Sequence, residues 1–62
     1  MVSFFYHERL MDSCAFDANE AKVIINIKKI RKENQIYEVE QVEYNLDSKI
    51  IEIHLTDFVK NK

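Results

Sequence analysis

The 62-residue chain contains neither glycine nor proline. Average usage of about 7% and 5% would give roughly seven of them at this length. Every turn therefore has to be built from Asn, Asp, Ser or Lys, without the residue that adopts positive φ at no steric cost. The same absence excludes phosphate cradles of the Gly-rich kind. It also weighs against a tightly closed barrel, whose corners commonly use glycine.

A chain this short buries only about 60% of the surface its unfolded form exposes, so its core alone is marginal. Cys14 is the single cysteine, so no disulfide can form within the chain, and no Cys/His spacing suggests a structural zinc site. Self-association or partner binding is the expected supplement. A lone cysteine fits a reducing compartment. Met1 to Leu10 lacks the pattern of a secretory leader, and no apolar run approaches the ~20 residues of a membrane span. These features predict a cytoplasmic protein with no membrane partner. Hydrophobic residues make up 47% and charged residues 32%, the balance of a folded domain rather than a disordered one. Richness in Lys, Asn, Ile, Glu, Tyr and Phe is what an A+T-rich genome encodes, which suggests a phage or mobile-element source.

One domain is expected over residues 1–62. Within residues 21–56, three segments rich in Ile, Val and Tyr are separated by short polar stretches: Lys22 to Ile30, Ile36 to Tyr44 and Lys49 to Leu55. That spacing predicts an antiparallel meander. With a first turn centred on Glu33, Ile27 faces Val39, Ile30 faces Ile36 and Lys28 faces Glu38. A β-bulge at Glu40-Gln41 keeps the apolar residues on one face, bringing Ile25 to Val42 and Val23 to Tyr44. A second turn over Asn45 to Ser48 pairs Val42 with Ile51, Val39 with Ile53 and Tyr37 with Leu55. Glu38, Glu40, Glu52 and His54 then share the outer face. A competing reading puts a helix over Ala18 to Lys32, opened by an Asp17–Glu20 capping box. Its weakness is the run of Ile and Val, which favours strand.

Residues 1–20 read either as a helix from Phe4 to Ala15 or as a strand through Phe4-Phe5-Tyr6. The helix is preferred because a bare apolar sheet face needs a lid. Residues 57–62 form a tail in which Phe58 tucks under that lid and Lys60 to Lys62 fray. The fold expected is thus α+β, mostly β: a three-stranded antiparallel meander with an N-terminal helix packed on one face. The alternative is an all-β, four-stranded antiparallel sheet or small barrel.

No catalytic residues are expected. Cys14 with His7 or His54 would make a thiolate–imidazole pair, but no local signature frames the cysteine, and a small buried side chain is the simpler reading. His7, Cys14, His54 and Asp57 lack metal-ligand spacing, so neither a metal nor a cofactor is expected. Glu38, Glu40 and Glu52 read as a solvated face. Lys28, Lys29, Arg31 and Lys32 are the candidate binding residues, a basic hairpin tip beside the acidic run Glu33, Glu38, Glu40 and Glu43. With a net charge of −2, the chain is expected to be a non-enzymatic protein-interaction module that also self-associates. A nucleic-acid-binding module using the basic tip is the alternative.

Overall fold

A computed structural model describes residues 1–58. The elements run β1 (Val2–Tyr6), β2 (Arg9–Cys14), α1 (Ala18–Ile24), β3 (Lys29–Lys32), β4 (Gln35–Asn45) and β5 (Ile50–Asp57). The five strands form one sheet in the order β2-β1-β5-β4-β3. β1 lies parallel to β5, and the other three pairs are antiparallel. No helix among the described residues is long and apolar enough to cross a membrane.

The class is α+β and mostly β, but the expected architecture is corrected in three respects. Residues 4–15 are not a helix: β1 and β2 form a hairpin there. Phe4-Phe5-Tyr6 has strong β propensity, and as a strand it aligns Val2, Phe4 and Tyr6 on one face. The sheet has five strands rather than three and is mixed rather than wholly antiparallel, because β1 enters beside β5. Finally, Lys22 to Ile30 is not a strand.

The segment divides between the two readings, helical over Ala18–Ile24 and in the sheet only from Lys29. Asp17 accepts a hydrogen bond from the Glu20 N–H at 2.8 Å, and Glu20 Oε1 accepts from the Asp17 N–H at 3.3 Å, the reciprocal capping box. The helix so opened lasts seven residues. It stops as Val23, Ile24 and Ile25 accumulate, since β-branched side chains lose rotamer freedom against the preceding turn. Asn26 Nδ2 then donates to the Lys22 carbonyl at 2.9 Å, closing the C-terminal end. Only Lys29–Lys32 returns to the sheet.

The turns show how the chain manages without glycine. They are not confined to Asn, Asp, Ser and Lys as expected: His7 and Glu8 (φ 51° and 66°) link β1 to β2, and Glu33 and Asn34 (φ 51° and 64°) link β3 to β4. Two-residue hairpins of the type I′ form, which matches strand twist, need positive φ at both central positions, so these four residues accept left-handed conformations. The β4–β5 turn ends on Lys49 (φ 59°). Asn45 holds that turn, its Oδ1 accepting from the Asp47 and Ser48 N–H groups at 3.0 and 3.1 Å.

Registers differ from expectation in an instructive way. The bulge does fall at Glu40, between the pairs Val39–Leu55 and Gln41–His54. Beyond it, Val42 faces Ile53 and Tyr44 faces Ile51, two residues away from the expected pairing on β5. A shift of two preserves the side each residue faces. Tyr37, Val39, Ile51, Ile53 and Leu55 therefore still join the core. Between β3 and β4 the slip is one residue, with Ile30 opposite Tyr37 and Lys29 opposite Glu38. Ile25 and Val23, expected opposite Val42 and Tyr44, lie outside the strands and are exposed.

The core consists of Val2, Phe4, Ile53 and Leu55, packed against Tyr6, Met11, Cys14, Phe16, Ile24, Ile30, Tyr37, Val39 and Ile51. It needs no N-terminal lid because the sheet curls on itself. Asp12 on β2 and Lys32 on β3, the two outermost strands, meet at 3.3 Å. Phe16 and Ile24 add cover from either end of α1. Phe58 lies under the Lys29 ammonium, 4.5 Å from the ring centroid, rather than beneath a helix. The expected fraying of Lys60 to Lys62 lies outside the described residues.

Candidate functional site

Two regions of β4 stand out. Each follows from the bulge at Glu40 and from the shortness of β3.

The first is an open edge. β3 pairs with β4 only from Gln35 to Glu38, and the Val39 N–H adds one more bond to the Lys28 carbonyl at 2.9 Å. From Glu40 to Asn45, β4 is bonded to β5 on one side and to no described strand on the other. Exposure of the apolar residues rises along this stretch: Val42 is 39% exposed, Tyr44 57% and Leu46, in the following turn, 77%. Val42 and Tyr44 lie on the core side of the sheet, opposite Ile53 and Ile51. Gln41 and Glu43 lie on the other side, and Glu40 occupies the bulge.

The second is a polar cluster on the outer face. Glu43 and Glu52 are directly opposed across β4 and β5, and His54 is opposite Gln41 two pairs along, on the same face. His54 Nε2 lies 3.4 Å from Glu52 Oε1 and 3.7 Å from Glu43 Oε1. It is shielded from solvent and makes no hydrogen bond, so the contacts are ones of proximity. The imidazole stacks on Phe5 at 5.2 Å between ring centroids, with 16° between planes. Both carboxylates are steered from outside: Gln41 Nε2 donates to Glu43 Oε1 at 2.6 Å and Asn45 Nδ2 to Glu52 Oε2 at 3.1 Å. The cluster borders a cavity of about 500 Å³ that Phe5, His7, Glu8 and Glu40 also line.

The sequence-derived candidates are distributed differently. Lys29, Arg31 and Lys32 stand on β3, with Lys28 just before it, but two of the four cations are engaged. Lys32 pairs with Asp12 and Lys29 covers Phe58. Cys14 faces the core opposite Val2, whereas His54 is on the outer face and His7 is in the turn at the other end of the hairpin. No thiolate–imidazole pair is assembled. Nor are His7, Cys14, His54 and Asp57 brought together. Glu38 is opposite Thr56, away from His54. Glu43 takes its place, a residue the sequence placed beside the basic tip and not beside the histidine.

Two groups titrate abnormally. The Tyr6 hydroxyl donates to Asp57, and that bond, followed by burial and the carboxylate's charge, pushes the phenol above its usual range. Asp12 accepts from the Ser13 N–H at 2.8 Å and pairs with Lys32, which together hold its carboxyl below the usual carboxylate range. Compared with known proteins, the chain matches no family model, no curated protein and no solved structure.

Proposed function

We propose that this chain is a non-enzymatic protein-interaction module that captures an extended, basic segment of another protein along the open edge of β4. The observation that supports this reading is the stretch Glu40–Asn45, whose outer side has no described strand beside it while Val42 and Tyr44 stay exposed on one face. Unpaired edge backbone is a template for an added strand, and alternate side-chain positions supply selectivity. The incoming strand would continue the line of β3 and run antiparallel to β4. Its apolar side chains would meet Val42 and Tyr44, and its basic ones Glu40 and Glu43.

Charge selects the occupant. A second copy pairing through this same edge would bring Glu40 and Glu43 close to their own counterparts, which is destabilising between neighbouring strands. A nucleic acid would need the cations of β3, two of which are already committed to Asp12 and Phe58. A Lys/Arg-bearing peptide suits both sides of the edge.

The test is titration of the full chain with a labelled peptide of alternating Lys and Val, scored by fluorescence anisotropy, beside a scrambled acidic control and a single-stranded oligonucleotide. The basic peptide is expected to bind, and Glu40→Lys or Tyr44→Ala to weaken it at least about tenfold, one to two kcal/mol being typical of a good interface contact. Binding of the oligonucleotide in preference to the peptide, abolished by Lys28→Ala with Arg31→Ala, would overturn the reading in favour of nucleic acid. Binding of neither would overturn it outright.

A further inference from the structure

We infer that Glu43, Glu52 and His54 form a binding site for a divalent transition-metal ion, of which zinc is the best-suited probe. Three observations lead there, and none depends on the docking edge being used. The first is the pairing itself. Two carboxylates stand directly opposite across β4 and β5, an arrangement that costs stability unless a cation lies between them. Among the described residues no Lys or Arg makes an ion pair with either carboxylate, and His54 is the basic group within 4.0 Å of both.

The second is the state of His54. Its Nε2 is turned toward both carboxylates, shielded from water and without a hydrogen bond. A buried ring nitrogen without a hydrogen bond, lying beside two carboxylate oxygens, has its lone pair free for a metal, which would relieve their repulsion. The neutral imidazole nitrogen is the commonest protein ligand for such ions.

The third is spacing. The nitrogen–oxygen separations are 3.4 and 3.7 Å, and one ligand atom from each residue falls within 4.8 Å of the others. Ligands around a tetrahedral zinc, with bonds of about 2.0–2.1 Å, sit about 3.3–3.4 Å apart. Small side-chain rotations close the set. The groups behind the ligands already have the form that metal sites use: Gln41 steers Glu43, and Asn45 holds Glu52 Oε2 so that Oε1 faces the ring. His54 and Glu52 side chains are only 28% and 22% exposed, which limits their motion, while Glu43 at 50% provides an entry path. One nitrogen and two oxygens select a borderline ion such as Zn²⁺ over Mg²⁺, which prefers oxygen and keeps its waters. Three protein ligands leave a position for water or for a donor from a partner.

The experiment is calorimetric titration of the chelator-stripped full chain with Zn²⁺, alongside Co²⁺ absorption to report geometry and Mg²⁺ as a control. One ion per chain is expected, with a visible tetrahedral Co²⁺ spectrum and a rise in Tm. His54→Ala and Glu43→Gln should each weaken binding by about tenfold or more, and Asn45→Ala by roughly tenfold. Cys14→Ser should leave it unchanged. Glu43 is half exposed, so its variant should fold. Without metal, Glu43→Gln should be at least as stable as the parent, since one of the opposed charges has gone. Absence of Zn²⁺ binding at millimolar concentration, or binding that survives both His54→Ala and Glu43→Gln, would overturn the assignment. The first outcome would leave the opposed carboxylates without a bound metal, and the second would place the ion elsewhere.

Discussion

Asp12 Oδ2 and Lys32 Nζ, 3.3 Å apart, join the first and last strands of the sheet. Asp12 is opposite Phe4 on β1, and Lys32 follows Ile30 by two residues on β3, so both lie on the core side. The pair therefore spans the seam where the curled sheet comes back on itself. Met11 and Ile30 lie at the same seam, which has no backbone ladder, so side chains alone close it.

This pair carries an acid-side pH dependence. The Asp12 carboxyl titrates below its unfolded value, held there first by the Ser13 N–H and then by Lys32. Its contribution is complete above the unfolded pKa and is lost as pH falls through the folded one. Urea unfolding from pH 7 downward should show Asp12→Asn less stable than the parent at neutral pH, the gap narrowing in acid. Exposure and salt keep the effect small. A gap independent of pH would mean the charge is irrelevant to the seam.

Tyr6 and Asp57 behave in the opposite sense. The phenol's folded pKa is raised above its unfolded value of about 10. Its stabilisation is present below that value and disappears as pH climbs through the folded pKa. Ultraviolet titration of the phenolate should find one late-ionising tyrosine, and Asp57→Asn should return it toward the ordinary range. Should Tyr6→Phe leave alkaline unfolding unchanged, the bond does not contribute.

The glycine-free turns hold relievable strain. Replacing Glu33 by Asn together with Asn34 by Gly installs the pair best suited to two left-handed positions. A gain of about 0.5–1 kcal/mol is expected, read as a higher urea midpoint at unchanged slope. A lower midpoint would show that Glu33 makes a compensating contact.

Core and edge should respond differently to truncation. Ile53→Ala, at the fully buried centre, should cost about 2–5 kcal/mol. Total stability at this size is only of the order of 3–9 kcal/mol, so the variant should lose a large share of it, read as a much lower urea midpoint by circular dichroism. Tyr44→Ala should stay within about 0.5 kcal/mol of the parent, because the ring is mostly exposed. An equal loss in both would place Tyr44 in the core rather than in a binding surface.

How far the sequence revealed this fold depended on the range of each signal. The bulge at Glu40-Gln41 and the core side of Tyr37, Val39, Ile51, Ile53 and Leu55 were legible because alternation is local. The capping box at Asp17 and Glu20 was also legible, but the length of its helix was not. The capping box and the spacing of Val23, Ile27 and Ile30 favoured a helix while the Ile/Val composition favoured a strand, and only tertiary context divides them. The hairpin at His7-Glu8 was hidden because neither residue signals a left-handed turn. The parallel β1–β5 pair joins residues about fifty apart, with no local mark. The His54 cluster failed for a similar reason. A two-residue slip keeps faces intact yet exchanges Glu38 for Glu43 as the neighbour of the histidine.

The most direct test of the docking account is residue-by-residue amide hydrogen exchange across β4, with and without the Lys/Val peptide. In the free chain, outward amides of Glu40–Asn45 are expected to exchange faster than those of Gln35–Val39, which β3 covers. With peptide, protection should appear along Glu40–Asn45 and nowhere on β3. Uniform protection of β4 in the free chain, or peptide-induced protection confined to Lys29–Lys32, would contradict it.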